Sequence, residues 1–175
     1  PAVTTMCSAG SLVASEPLAG TASVAQSWVV IEQPGPWGRQ ALTDSNLDRL
    51  LGESLLAASA ASGTTILLAR HPDRLERDDP SRHDSGTRNV WVAHTAPGHT
   101  RMRHGMTAGL SEIASWDFNA IANGSLPSFG STSRESLLFI CTHSGRDQCC
   151  AVLGRSLMAE TIDRLEAHER TTVWE

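Results

Sequence analysis

Three of the chain's four cysteines, Cys141, Cys149 and Cys150, fall within ten positions, with His143 between them. Residues 137–150 read LLFICTHSGRDQCC: an apolar run into Cys141, a polar turn containing Gly145, then two adjacent cysteines that open a helical pattern. A strand that delivers one thiolate to a loop, and a helix start that delivers another, is how proteins hold soft metals or run thiol chemistry. The same residues also read as buried thiols beside a turn, because cysteine is among the most buried residue types. Spacing leaves both readings open, since C-x7-C-C is not a widely shared zinc or CxxC signature.

Adjacent helical residues lie about 100° apart, so Cys149 and Cys150 cannot both face one ligand. One is expected to point toward Cys141 and the other into the core or to solvent. A helix start beside Arg146 favours an anionic sulfur or cluster through its backbone N–H groups. Asp147 complements the same dipole, and Arg146 either pairs with it or neutralises charge at the site. His143 is close enough in sequence to be a ligand or to donate to one, and a solvated loop histidine is the plainer expectation.

The elements that must position these groups are short. Residues 28–32 (WVVIE) form a β-rich run stopped by Gln33-Pro34-Gly35-Pro36-Trp37-Gly38. Asp44 or Ser45 is an N-cap for a helix on which Leu47, Leu50, Leu51, Leu55 and Leu56 recur, and Gly63 ends it. Residues 64–69 (TTILLA) are a buried strand, completing a β-α-β unit. Residues 89–94 (NVWVAH) form another strand, with a hairpin partner at 99–104 after Ala96-Pro97-Gly98. Residues 109–122 are weakly helical, and 123–135 (NGSLPSFGSTSRE) form a connector. Beyond it come a strand at 136–141, a helix at 149–168 striped by Val152, Leu153, Leu157, Met158, Ile162 and Leu165, and a strand from Thr171. The expected division is an α/β domain over 1–135, with residues 1–26 as an irregular leader, and a β-loop-α-β over 136–175. No internal repeat is evident.

Two other clusters carry less. His94, His99 and His104 recur every five residues, and across a short hairpin His94 and His99 could face each other around a metal. His83-Asp84-Ser85 holds the residue types of a hydrolytic triad, but neighbours on one loop cannot form its geometry and no G-x-S-x-G exists.

Composition bounds the rest. The 175 residues are 40% hydrophobic and 19% charged, which suits a folded domain. A net charge of −5, with no basic run, argues against nucleic acid as a partner. No apolar run approaches a membrane span, and residues 1–26 lack a secretory pattern, so the expectation is a cytoplasmic protein with no membrane partner. Clustered cysteines fit a metal or redox role in that compartment better than a disulfide framework. All fourteen basic residues are arginine.

The run from Cys141 to Arg155 resembles the C-T-H-x-x-R-D-x-C-C-x-x-x-G-R pattern of sucrase/ferredoxin-like proteins, particularly their actinobacterial members. The similarity extends to Glu16-Pro17-Leu18-Ala19-Gly20-Thr21-Ala22, to residues 32–38 (EQPGPWG) and to Trp174-Glu175. It implies an α/β fold with a mixed sheet in which residues 136–175 are the start of a thioredoxin-like [2Fe–2S] ferredoxin domain, incomplete here, and an electron carrier in preference to an enzyme. No carboxylate pair is placed for sucrose hydrolysis. In the family two cysteines and two histidines hold the cluster; the cysteines correspond to Cys141 and Cys150, with Cys149 or His143 as lesser alternatives, and Arg146 and Asp147 just outside the ligands. The family's histidines lie in an H-x-G-G-H-like segment directly after the Trp-Glu strand. The sequence given ends at Glu175, so the expectation is a fragment holding the cysteine half of the site, with its cofactor weakly bound or absent. A metal-free thiol/disulfide or interaction protein is the alternative. Nothing in the sequence names the redox partner protein or the oligomeric state.

Overall fold

β1 (Ser27–Glu32) carries Val29, Val30 and Ile31 in succession, an apolar run without polar alternation, and such a strand must be covered on both faces. The computed structural model describes residues 7–17, 19, 24–72, 86–145, 148–166 and 168–175. The His83-Asp84-Ser85 run, Arg146 and Asp147 lie outside them. The leader expected to be irregular contains a short helix, α1 (Cys7–Val13).

β1 lies in the middle of a five-stranded sheet, parallel to β2 (Thr65–Ala69) and antiparallel to β3 (Arg88–His94). β4 (Arg101–Thr107) continues from β3 as a hairpin, and β5 (Ser131–Thr132), from within the connector, pairs with β4. Two helices link β1 to β2: the single-turn α2 (Ala41–Asp44) and α3 (Arg49–Ser62). The cap of α3 is Asp48, not Asp44 or Ser45, because its carboxylate accepts the Leu51 N–H at 2.9 Å while α2 uses residue 44 as its own last position. Gly63 closes α3 in the left-handed region at φ 76°, where a side chain would be strained. Asp48→Ala is expected to cost about 1 kcal/mol, measured by urea denaturation.

After β4 the weakly helical stretch divides into a 3₁₀ helix (Leu110–Ser115) and α4 (Phe118–Ala122). With α3 they cover one face of the sheet, packing Leu51, Leu55, Ile113, Phe118 and Ile121 on alternate strand residues including Val29, Ile31, Val90 and Val92. A β-α-β unit, then an antiparallel hairpin and a helix, with the first strand between the second and third, is a thioredoxin-like α/β arrangement. Residues 27–122 have this arrangement, upstream of the 136–175 stretch where the sequence places the start of a thioredoxin-like domain.

The remaining chain forms a second β-α-β. β6 (Leu138–Phe139) is parallel to β7 (Val173–Trp174), and the helix between them, already helical at residues 148 and 149, widens into a π turn (Cys150–Gly154) that passes into α5 (Arg155–Arg164). Ile140, Met158 and Val173 form its own small core. Trp174 and Phe139 then pack on Val30 and Trp91, the opposite face of the large sheet.

Set side by side, the two β-α-β units reveal a repeat that the sequence alone conceals. Leu51-Gly52-Glu53-Ser54-Leu55-Leu56-Ala57 recurs as Leu153-Gly154-Arg155-Ser156-Leu157-Met158-Ala159, and each unit's second strand is entered by Thr-Thr followed by an apolar residue (Thr64-Thr65-Ile66, Thr171-Thr172-Val173). The strands and the loops between differ too much in length for the pattern to stand out linearly. Gly52 and Gly154 also share a reason for being glycine: a methyl group on either would overlap a backbone carbonyl, of Leu42 and of Cys141 respectively.

Candidate functional site

Cys141 is exposed just beyond β6, while Cys149 and Cys150 are half-buried at the start of the following helix, and none of the three is in a disulfide. Gly154, one turn after Cys150, lies against the Cys141 carbonyl. Absence of a side chain there lets the helix backbone close on the loop, and so brings the Cys150 end of the helix to the Cys141 end of the strand. The π turn begins at Cys150; such turns are rare and recur at functional sites.

The loop is held from the other side by the first unit. The His143 Nε2 donates to the Gly38 carbonyl at 2.6 Å. Its ring meets the edge of Trp37 at 5.8 Å, and Gly145 packs on the same Gly38 carbonyl. His143 is therefore a docked residue, not a solvated one. Trp37 is fixed in turn by donating from its indole to the Gln33 carbonyl at 2.9 Å. Asp44 closes the far side of this loop: the Gln40 N–H above all, then the Thr43 hydroxyl, hold its carboxyl below its ordinary value.

Beneath the cysteine loop lies a buried ionic junction. Arg70 and Glu175 each follow the second strand of their unit, and they exchange both backbone hydrogen bonds (3.1 and 2.9 Å), the pattern of an antiparallel pair. The Arg70 Nε donates to the Glu175 carboxylate at 2.8 Å, and the Thr142 hydroxyl donates to the same oxygen at 3.1 Å. A second Arg70 nitrogen donates to the Gly35 carbonyl at 3.0 Å, and the guanidinium lies 4.5 Å over the Trp37 ring. Thr142, between Cys141 and His143, is thus tied to residues far away in sequence. Residue type and spacing along the chain give Trp37, Arg70 and Glu175 no place in the site. The available signal was a single charged residue after each Thr-Thr-led apolar strand.

The hairpin histidines go separate ways. His94 pairs across the hairpin with Arg101, leaving His99 in the turn, and His104 stacks on Trp91 at 4.9 Å while bonding Asn89 at 2.9 Å. Among the described residues no three His, Cys, Asp or Glu side chains converge as a metal site.

The fold and the loop together define a thioredoxin-like α/β protein that presents a strand-end cysteine and a helix-start cysteine pair. The sucrase/ferredoxin-like family model matches residues 18–175, and the chain belongs to that family. No match is found among curated proteins or among solved structures. No helix among the described residues is long and apolar enough to cross a membrane.

Proposed function

We propose that the protein is an electron carrier of the ferredoxin type, with Cys141 and Cys150 supplying two thiolates to a [2Fe–2S] cluster. The observation that carries this reading is the Gly154 contact on the Cys141 carbonyl, which holds the two sulfur-bearing segments together within the family's cysteine motif. The described residues fit the sulfur half of a four-donor set and no more. Two imidazoles in an H-x-G-G-H segment are what the family resemblance adds. Such mixed ligation supplies a one-electron couple at a higher potential than four thiolates give. Within this chain the Arg70–Glu175–Thr142 junction and Gly38 orient the loop, and Cys149 and His143 are positioned beside the ligands. The redox partner is a separate protein, and a reducing cytoplasm suits three thiols outside any disulfide.

The test is anaerobic reconstitution of the 175-residue chain and of a polypeptide in which an H-x-G-G-H segment follows Glu175. The extended polypeptide is expected to bind iron and sulfide and turn red-brown; Cys141→Ser and Cys150→Ser abolish the colour, and Cys149→Ser retains it. The 175-residue chain is expected to bind little. An extended polypeptide that takes up neither iron nor sulfide would falsify the reading.

Three cysteines clustered within ten positions and outside any disulfide favour one alternative, a metal-free thiol protein in which Cys141 and Cys149 or Cys150 form a reversible disulfide. Thiol counts that fall by two on mild oxidation, without metal, are its signature.

A further inference from the structure

The half of the large sheet that Trp174 and Phe139 leave uncovered floors an open groove of about 980 Å³, walled by the connector leading into β6. That volume lies in the range of small-molecule sites. Its accessible floor is apolar and adaptable: Trp28, Leu67, Met102, Leu137 and Phe139 are each half-buried. The Trp28 ring is held in place because its indole N–H donates to the Thr95 hydroxyl at 3.0 Å. Two arginines, Arg101 from β4 and Arg134 from the connector, stand exposed at the rim. Neither guanidinium has a hydrogen-bond or ion-pair partner among the described residues. The rim's one acid, Glu135, accepts from the neighbouring Ser133 hydroxyl at 3.4 Å, so it is engaged within its own turn.

A chain of net charge −5 repels anions in general, so a pair of unpartnered cations beside an apolar floor is a local exception. We infer that this groove binds a small amphipathic carboxylate, its apolar body on Trp28, Leu67 and Met102 and its carboxylate between Arg101 and Arg134. The site lies on the sheet face away from α3 and uses no residue between Cys141 and Cys150. It stands or falls separately from the electron-transfer reading.

Decanoate is the probe, added to isotope-labelled protein while the indole N–H signal of Trp28 is followed by NMR. Decanol, which keeps the body without the charge, and acetate, which keeps the charge without the body, are the controls. Decanoate is expected to shift the Trp28 signal saturably, decanol to bind about tenfold more weakly, and acetate not to bind. Arg101→Gln and Arg134→Gln, at exposed positions where folding is undisturbed, each weaken decanoate about threefold, and together about tenfold. Decanol binding as well as decanoate, an unaffected double variant, acetate giving the same shift, or decanoate perturbing only the exposed Leu153 and Leu157 would each overturn the assignment.

Discussion

An Arg70→Met variant is expected to lose about 3–5 kcal/mol of folding stability, a drop of roughly 10 °C in melting temperature for a chain of this size. The side chains of Arg70 and Glu175 are only 11% and 5% exposed. Removing the guanidinium takes the cation at 2.8 Å away from a carboxylate that is largely out of water and also accepts from the Thr142 hydroxyl. It also removes the donor to the Gly35 carbonyl and the cation over Trp37, so the loop that receives His143 loosens at the same time. The double variant Arg70→Met, Glu175→Gln should recover part of the loss, because the buried carboxylate charge is removed together with the cation that it faced. Guanidinium denaturation of the three proteins distinguishes this from simple packing: a single variant within about 1 kcal/mol of wild type, or a double variant worse than the single, removes the ionic account.

The second large effect has an unusual sign. Alanine for glycine in an exposed helix normally stabilises by about 1 kcal/mol. At Gly154 the added methyl group meets the Cys141 carbonyl, a backbone atom that cannot rotate aside, so Gly154→Ala is expected to destabilise by about 2–4 kcal/mol. It should also move Cys141 relative to Cys150, and in the extended polypeptide it should cut the yield of reconstituted chromophore while the Cys149→Ser control keeps it. A stabilised Gly154→Ala protein would mean that the helix does not rest on the cysteine loop.

The first unit was largely readable along the chain. Leucines at helical spacing marked α3, Gly63 marked its end, and the β-branched runs at 28–32, 64–69 and 89–94 marked three strands, since periodicity and punctuation are local signals. The cap moved from residues 44–45 to Asp48 because two helices share a stretch that reads as one, and a single-turn helix leaves no periodic trace. β5 escaped notice because two residues inside a Ser/Thr-rich connector make a strand only by pairing with β4. At the site, cysteine spacing and the family pattern picked out the loop, but not what grips it. Gly38 lies 105 positions from His143, Arg70 lies 105 from Glu175, and Glu175 lies 33 from Thr142, and the two longest of these junctions exist only once the two units meet.

The π turn at Cys150 has a consequence for the whole helix that follows. A turn holding one extra residue rotates everything after it by about 100°. In α3 the residue pressed to its sheet is Leu55, with 0% of its surface exposed, beside Leu51 at 8%. Their counterparts, Leu157 and Leu153, are 54% and 49% exposed, and the fully packed position is the next one along, Met158 at 4%. The same seven-residue phrase is thus out of phase by one residue between the two units. Upstream of the shift the helix answers to the cysteine loop, downstream to its own strands, so the wide turn frees the geometry of the sulfur end from the packing of the rest.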